Sequence, residues 1–310
     1  YVALRCNIVT VSTDDLPYEE KTIIDHSSSE ISTEDAAVLL EAVRKELEND
    51  IYKFYVGTSY RHLTIWDKGE VVDLTPPHDV LGQKIGQYLP KDDKLREMMK
   101  KSYDILSNHP INVERMKKGL NPANSLWFWG AGTRPMLTSF EEKTGHKGAM
   151  ISAVDLLKGI AVGAGMKVIE VEGANGGLDT NYEGKADAAV DVLLNGGCDF
   201  AYIHLEAPDE MGHQGSYERK VKAIENLDKR IIKRVVEKME AAGEDFRMLV
   251  LPDHPTPVAI RTHVSDPVPY MLYDSTDKKN NTWSYNEKDG EASGNYIAEG
   301  HTIINRLFEK

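Results

Sequence analysis

The sequence predicts an α/β chain: a mostly parallel sheet with helices on both faces, joined to a smaller α+β domain. Three observations predict it. From Ser125 onward, strand-like and helix-like stretches alternate, which is the rhythm of a parallel sheet. Residues 1–120 have another rhythm, with strand-like runs flanking one strong helix. Five side chains of metal-binding type, Asp209, His213, Asp253, His254 and His263, follow two apolar runs, where open parallel sheets keep their ligand sites.

The first domain is read element by element. Val2-Ala-Leu-Arg-Cys-Asn-Ile-Val-Thr-Val11 and residues 61–66 read as strands. Residues 33–48 read as a helix, because Ser32-Thr-Glu-Asp35 supplies a cap and Ala36, Leu39, Leu40 and Val43 an apolar stripe. Thr75-Pro-Pro-His-Asp79 is a proline-stiffened loop, and helical stretches follow near 92–107 and 111–118. Asn121-Pro-Ala-Asn124 reads as a linker, so the expected division is 1–121 and 122–310.

In the second domain, Leu126-Trp-Phe-Trp129 reads as a strand closed by Gly130-Ala-Gly132. Strands at 148–152, 166–171, 199–205 and 246–251 alternate with helices at 154–164, 181–195 and 216–242, and a last strand covers 268–273. Polar residues 274–293 read as a loop or hairpin, and 294–309 as a closing helix. The chain has no internal repeat.

Composition narrows the function. The 310 residues are 41% hydrophobic and 28% charged, enough for a large core. A net charge of −13 argues against general nucleic-acid or anionic-membrane binding, though local Arg and Lys can still hold a small anion. No apolar run is long enough to cross a bilayer. Cys6 and Cys198 lie in apolar contexts and read as buried free thiols, which fits a reducing cytoplasm.

Carboxylate plus imidazole suits zinc, manganese or iron. A single Asp-x-x-x-His is ordinarily a surface pair or a helix cap. Here Asp209 and His213 are followed by Asp253-His254 and then by His263, with the first two elements at strand ends. One catalytic ion takes two or three protein ligands, so five suggest a pair of ions, the apparatus for in-line phosphoryl transfer. Gly212 is expected to let the backbone turn so that Asp209 and His213 face one ion. Asp253 and His254 are consecutive but can converge at a break between Pro252 and Pro255, and Pro255-Thr-Pro257 stiffens the excursion to His263. His62, His78 and His204 are of a kind more often solvated or hydrogen-bonded than ligating. Gly173-Ala-Asn-Gly-Gly177 lacks the spacing of a phosphate loop.

Ala207-Pro-Asp-Glu-Met-Gly-His213, Pro252-Asp-His-Pro-Thr-Pro257 and Arg261-Thr-His263 resemble the cofactor-independent phosphoglycerate mutases of archaeal type, in the alkaline phosphatase superfamily. The resemblance extends through Ala3-Leu-Arg-Cys-Asn7, Gly57-Thr-Ser-Tyr-Arg-His62, Pro76-Pro-His-Asp79, Ala123-Asn-Ser-Leu-Trp-Phe-Trp-Gly130, Ser152-Ala-Val-Asp-Leu-Leu-Lys-Gly159 and Asp179-Thr-Asn-Tyr182. It implies an alkaline-phosphatase-like core, with 1–121 as most of an inserted domain that closes over substrate. It implies that Asp209, His213 and His263 bind one divalent ion and Asp253 and His254 a second. Manganese, zinc or magnesium is the expected metal. The implied reaction interconverts 3-phosphoglycerate and 2-phosphoglycerate through a phosphoserine. Arg5, Arg61, His62, His78, Asp79 and Lys158 become candidates to hold the substrate's carboxylate or phosphate.

The family's serine nucleophile and a further metal-binding aspartate are expected upstream of Tyr1. The chain is therefore expected to be an N-terminally incomplete copy, inactive as it stands. Ser27-Ser-Ser-Glu30 reads as a polar turn rather than a substitute. Two alternatives stay open: a homoserine-kinase-like phosphotransferase on the same scaffold, and a non-catalytic metal-binding relative.

Overall fold

The structure, a computed structural model, describes residues 1–277 and 282–309. It divides into two compact units, Tyr1–Pro135 and Met136–Lys310.

The first unit contains β1 (Val2–Val11), β2 (Ile23–Asp25), α1 (Thr33–Leu47), β3 (Tyr52–Tyr55), β4 (Arg61–Trp66), α2 (Asp93–Leu106), α3 (Pro110–Lys117) and β5 (Ser125–Gly132). All strand pairings in it are antiparallel, with β1 bonded to β2, β4 and β5, and β4 to β3. Leu4, Cys6 and Ile8 alternate along β1 into a core that includes Phe54, Leu39, Leu40 and Phe128. The apolar stripe of α1 is buried as its periodicity requires. Ser32 caps that helix by accepting the Asp35 N–H at 3.1 Å, a contact worth about 1 kcal/mol.

The boundary falls at Pro135 rather than at 121. The reason is β5. Local pattern places it in the sheet that follows, but it pairs with β1, with Cys6 opposite Phe128 and Ile8 opposite Leu126. Nor is Asn121–Asn124 a free linker. The Asn124 amide accepts the Val11 N–H at 2.8 Å and donates to the Val11 carbonyl at 2.9 Å. Buried Asn112 does the same for Ala123. These amides replace the ladder bonds that an irregular buried backbone would lack.

The second unit contains α4 (Phe140–Thr144), β6 (Gly148–Ile151), α5 (Asp155–Gly163), β7 (Lys167–Val168), α6 (Tyr182–Leu194), β8 (Phe200–Ile203) and α7 (Ala207–His213). It continues with α8 (Tyr217–Leu227), a π-helical turn at Asp228–Ile232, α9 (Lys233–Ala242), β9 (Arg247–Val250), β10 (Met271–Asp274), α10 (Glu287–Ala292) and α11 (Asn305–Phe308). The parallel sheet has the order β7-β6-β8. The expected single series is interrupted: β9 pairs antiparallel with β10 and, among the described residues, is not bonded into the parallel sheet. The closing helix is also shorter than expected. Gly294 takes φ 68°, and only a 3-10 turn at Gly300–Thr302 and α11 are helical there. The expected 274–293 loop contains α10, and its residues 278–281 lie outside the described residues.

Helix α6 packs on α9 and the π turn through Tyr182, Ala186 and Val190 against Ile231, Val235 and Met239. Two bidentate pairs flank this contact, Arg230 with Glu183 and Arg234 with Asp187, at 2.6–2.8 Å. The Arg234 guanidinium holds the Asp187 carboxyl down at about 2. Half-exposed pairs of this kind add little energy, so their effect is to fix register. Both cysteines are free and buried, and burial pushes the Cys6 thiol up to about 12. Among the described residues no helix is long and apolar enough to cross a membrane.

Candidate metal centre

Asp209 and His213 are four residues apart on α7, so they share one helix face. His213 Nε2 lies 3.3 Å from Asp209 Oδ2. Gly212 is not the expected turn but part of the helix. Its lack of a side chain serves close approach: a Cβ there would stand 2.4 Å from the Thr256 carbonyl oxygen.

His263 arrives from a separate segment, with its Nε2 3.3 Å from Asp209 Oδ1 and 3.0 Å from His213 Nε2. One ligand atom from each of Asp209, His213 and His263 falls within 4.8 Å of the others. His213 Nδ1 lies 3.0 Å from the Arg261 carbonyl. A carbonyl only accepts, so Nδ1 carries the hydrogen and the Nε2 of the neutral ring is a bare lone pair. Arg261 takes φ 60°, a left-handed conformation uncommon for a residue with a side chain, and its carbonyl is the one that orients the His213 ring.

This donor set fits a divalent cation. Two ring nitrogens face one another across 3.0 Å beside a carboxylate, with one nitrogen oriented by a backbone carbonyl. Three protein ligands leave the open position that catalytic sites keep.

His254 reaches the same place, with Asp253 beside it. The His254 and His263 rings lie 3.7 Å apart between centroids. Asp253 Oδ2 is 3.3 Å from His254 Nε2. The structure thus brings Asp209, His213 and His263 together with the His254 ring against them, and Asp253 follows as the neighbour of His254, although β8 and β9 are in different sheets. Specific ties replace sheet pairing: Lys220 Nζ donates to the Thr256 carbonyl at 2.7 Å, and the Val264 N–H to the Pro255 carbonyl at 3.1 Å. Residue-type reasoning missed Thr256, Lys220 and Arg261. His204 Nδ1 lies 3.2 Å from Ser152 Oγ, and burial lowers its pKa against the opposing pull of Asp253 and Asp209.

The substrate candidates divide. In the first unit Arg5 lies 4.3 Å over the Trp129 ring and Arg61 4.3 Å over the Tyr60 ring. His78 meets Trp129 edge-on at 5.3 Å and is 3.7 Å from Asp79. His26, which the sequence did not single out, links His78 at 6.1 Å to Tyr60 at 5.8 Å. Arg5 pairs with Trp129, and Asn7 with Arg61, so these four share one sheet face. His62 does not join them. It follows Arg61 in the strand and points to the other face, only 6% exposed. There its Nδ1 accepts the Gly57 N–H at 3.1 Å, and burial pushes its pKa down to about 4. Lys158, in the second unit, is paired with Glu170 at 2.7 Å.

Comparison with known proteins agrees with this chemistry. A family model described as the metalloenzyme superfamily matches residues 62–299. A second, described as 2,3-bisphosphoglycerate-independent phosphoglycerate mutase, matches residues 1–112. A protein of that name from Methanosarcina barkeri is 50% identical over 282 residues, covering 89% of this chain and 68% of the relative. The chain belongs to this mutase family. A probable mutase of the family from Geobacter sulfurreducens is 41% identical over 315 residues, covering 100% of this chain and 77% of the relative. A solved protein from Pyrococcus horikoshii superposes with a TM-score of 0.73 at 25% identity, covering 99% of this chain and 72% of that one. A cofactor-independent phosphoglycerate mutase from Thermoplasma acidophilum gives 0.59 at 23% identity, covering 99% and 76%, which bears on the fold. As a mutase-family member of the metalloenzyme superfamily, the chain has an alkaline-phosphatase-like α/β core and depends on divalent metal.

Proposed function

We propose that the protein interconverts 3-phosphoglycerate and 2-phosphoglycerate through a phosphoserine, using two divalent ions drawn from manganese, zinc and magnesium. The observation that carries this reading is the opposed His213 and His263 nitrogens beside Asp209, with Asp253 and His254 adjoining. Asp209, His213 and His263 hold one ion, and Asp253 and His254 the second. When bound, the ions supply positive charge to the phosphoryl oxygens and to the attacking and leaving oxygens.

Other groups of this chain orient the ligands and hold the substrate. The Arg261 carbonyl keeps the His213 ring in its ligating orientation. Arg5 and Arg61 hold the substrate's carboxylate or phosphate, with His78 and Asp79 beside them. Trp129 and Tyr60 support this role, because stacking preorganises each guanidinium for a bidentate anion contact. Lys158 is a further cation for the phosphate, once freed from Glu170. The first unit acts as a separate body that hinges, a role supported by its own core and its own sheet.

The test is a coupled assay of the natural protein that reports 2-phosphoglycerate formed from 3-phosphoglycerate, run with manganese and with a chelator. Turnover that chelation abolishes and manganese restores is expected. Phosphorylation of homoserine with no mutase turnover would overturn the reading in favour of a kinase. Metal binding without either activity would overturn it in favour of a non-catalytic relative.

A further inference from the structure

We infer that the Thr256 hydroxyl couples the two ion sites, by linking a ligand of one to a ligand of the other and setting the tautomer of His254. The inference rests on the two-ion reading above.

Thr256 is only 3% exposed. Its Oγ1 is hydrogen-bonded to Asp209 Oδ1 and lies 3.3 Å from His254 Nδ1. An ionised carboxylate only accepts, so the hydroxyl hydrogen goes to Asp209. The oxygen then offers lone pairs to His254, and Nδ1 must bring the hydrogen to that contact. A neutral His254 protonated at Nδ1 has its Nε2 free, which is the nitrogen beside Asp253. One hydroxyl therefore aims two ligands assigned to two different ions.

The hydroxyl is held in place from three directions. Pro255 and Pro257 flank it and restrict the backbone. Lys220 Nζ grips its carbonyl at 2.7 Å. Gly212 lets α7 approach that same carbonyl, which any side chain at this position would strike. Asp209 and Thr256 are 47 residues apart in sequence, so this bond also ties the α7 segment to the loop after β9.

The test measures manganese binding to the natural protein by calorimetry, beside thermal unfolding. Thr256→Val keeps the shape and removes the hydroxyl. It should weaken manganese binding at one or both sites by roughly tenfold to a hundredfold, the usual cost of losing a group that orients a ligand. Thr256→Ser should bind two ions nearly as the natural protein does. A folded Thr256→Val protein with two sites of undiminished affinity would overturn the inference. So would a Ser variant as defective as Val, since a retained hydroxyl would then fail to preserve the two sites. A natural protein that binds no manganese would overturn the two-ion reading and this inference together, which keeps the two failures distinct. Should the Val variant not fold, nitrogen-15 NMR of the metal-free natural protein decides. Hydrogen on Nδ1 of His254 is expected, and hydrogen on Nε2 overturns the inference.

Discussion

His263 reaches Asp209 and His213 from a separate segment, and that approach is the basis for proposing it as the third ligand of one ion. It is 52% exposed and fills no part of the apolar core. In metal-free protein His263→Ala should therefore change stability by no more than about 0.5 kcal/mol, as for other exposed positions. The same variant should lose one of two ions and nearly all turnover, checked by metal analysis beside thermal unfolding. Unchanged stoichiometry with normal turnover would remove His263 from the site. His62 makes the opposite kind of prediction. Its folded-state value, about 4, is below the ordinary 6.5 of an unfolded imidazole. Between those values the unfolded chain binds the extra proton, so stability is full above about pH 6.5 and falls as pH drops toward 4. The loss over that window is roughly 3 kcal/mol at most. Urea titrations at pH 7 and pH 4.5 should show it, and His62→Leu should flatten it. Asp209, His213, Asp253, His254 and His263 stood out in the sequence because three carboxylate- or imidazole-bearing segments follow one another after apolar runs, and their ligand role is the proposal made above. Thr256 did not, because a threonine between prolines reads only as part of a stiff loop. His62 was assigned with Arg61 by motif, although strand alternation already places neighbours on opposite faces.

At the scale of elements, α7 and the loop after β9 are fitted to one another through Gly212. In an exposed helix, alanine would be better than glycine by about 1 kcal/mol. Here the added carbon meets the Thr256 carbonyl at 2.4 Å, and that carbonyl is pinned by Lys220. Gly212→Ala should thus destabilise the protein by about 1–3 kcal/mol, the usual cost of overpacking, and weaken manganese binding. Measuring melting temperature and metal affinity together tests this. A higher melting temperature with unchanged affinity would mean that the contact yields freely. Elements with a strong periodic stripe were legible, α1 above all, since its cap and its buried face are both local. The partner of β5 was not. Its pairing with β1 joins residues more than a hundred positions apart, and local pattern says only that a strand exists. Strand β7 shrinks to two residues for a related reason: apolar composition marks a strand but not how far its partner runs.

For the whole molecule, the α/β class followed from alternation, but the division followed from long-range pairing that alternation does not contain. No sheet and no core cluster is shared between the units: the first has one sheet and one core, the second two sheets and smaller clusters, among the described residues. The first residue past the division, Met136, is 99% exposed, and Leu137 beside it is 45% exposed. Brief digestion with a broad-specificity protease should cut first near Met136–Leu137 and leave two resistant products that divide there. Mass spectrometry of the early products checks this, and a first cut inside β1–β5 would count against two separate units. The wide spacing of the ligands also sets a timetable for synthesis. His213 and His263 touch but are fifty residues apart in the chain. At about 5–20 residues per second, the ribosome releases His263 roughly 3–10 seconds after His213. A nascent chain therefore presents Asp209 and His213 to the cell's metals for seconds as an incomplete pair. On the proposed ligand assignment, the three-residue set exists only after the later segment has emerged and folded back, so whatever choice it makes among metals belongs to the finished protein.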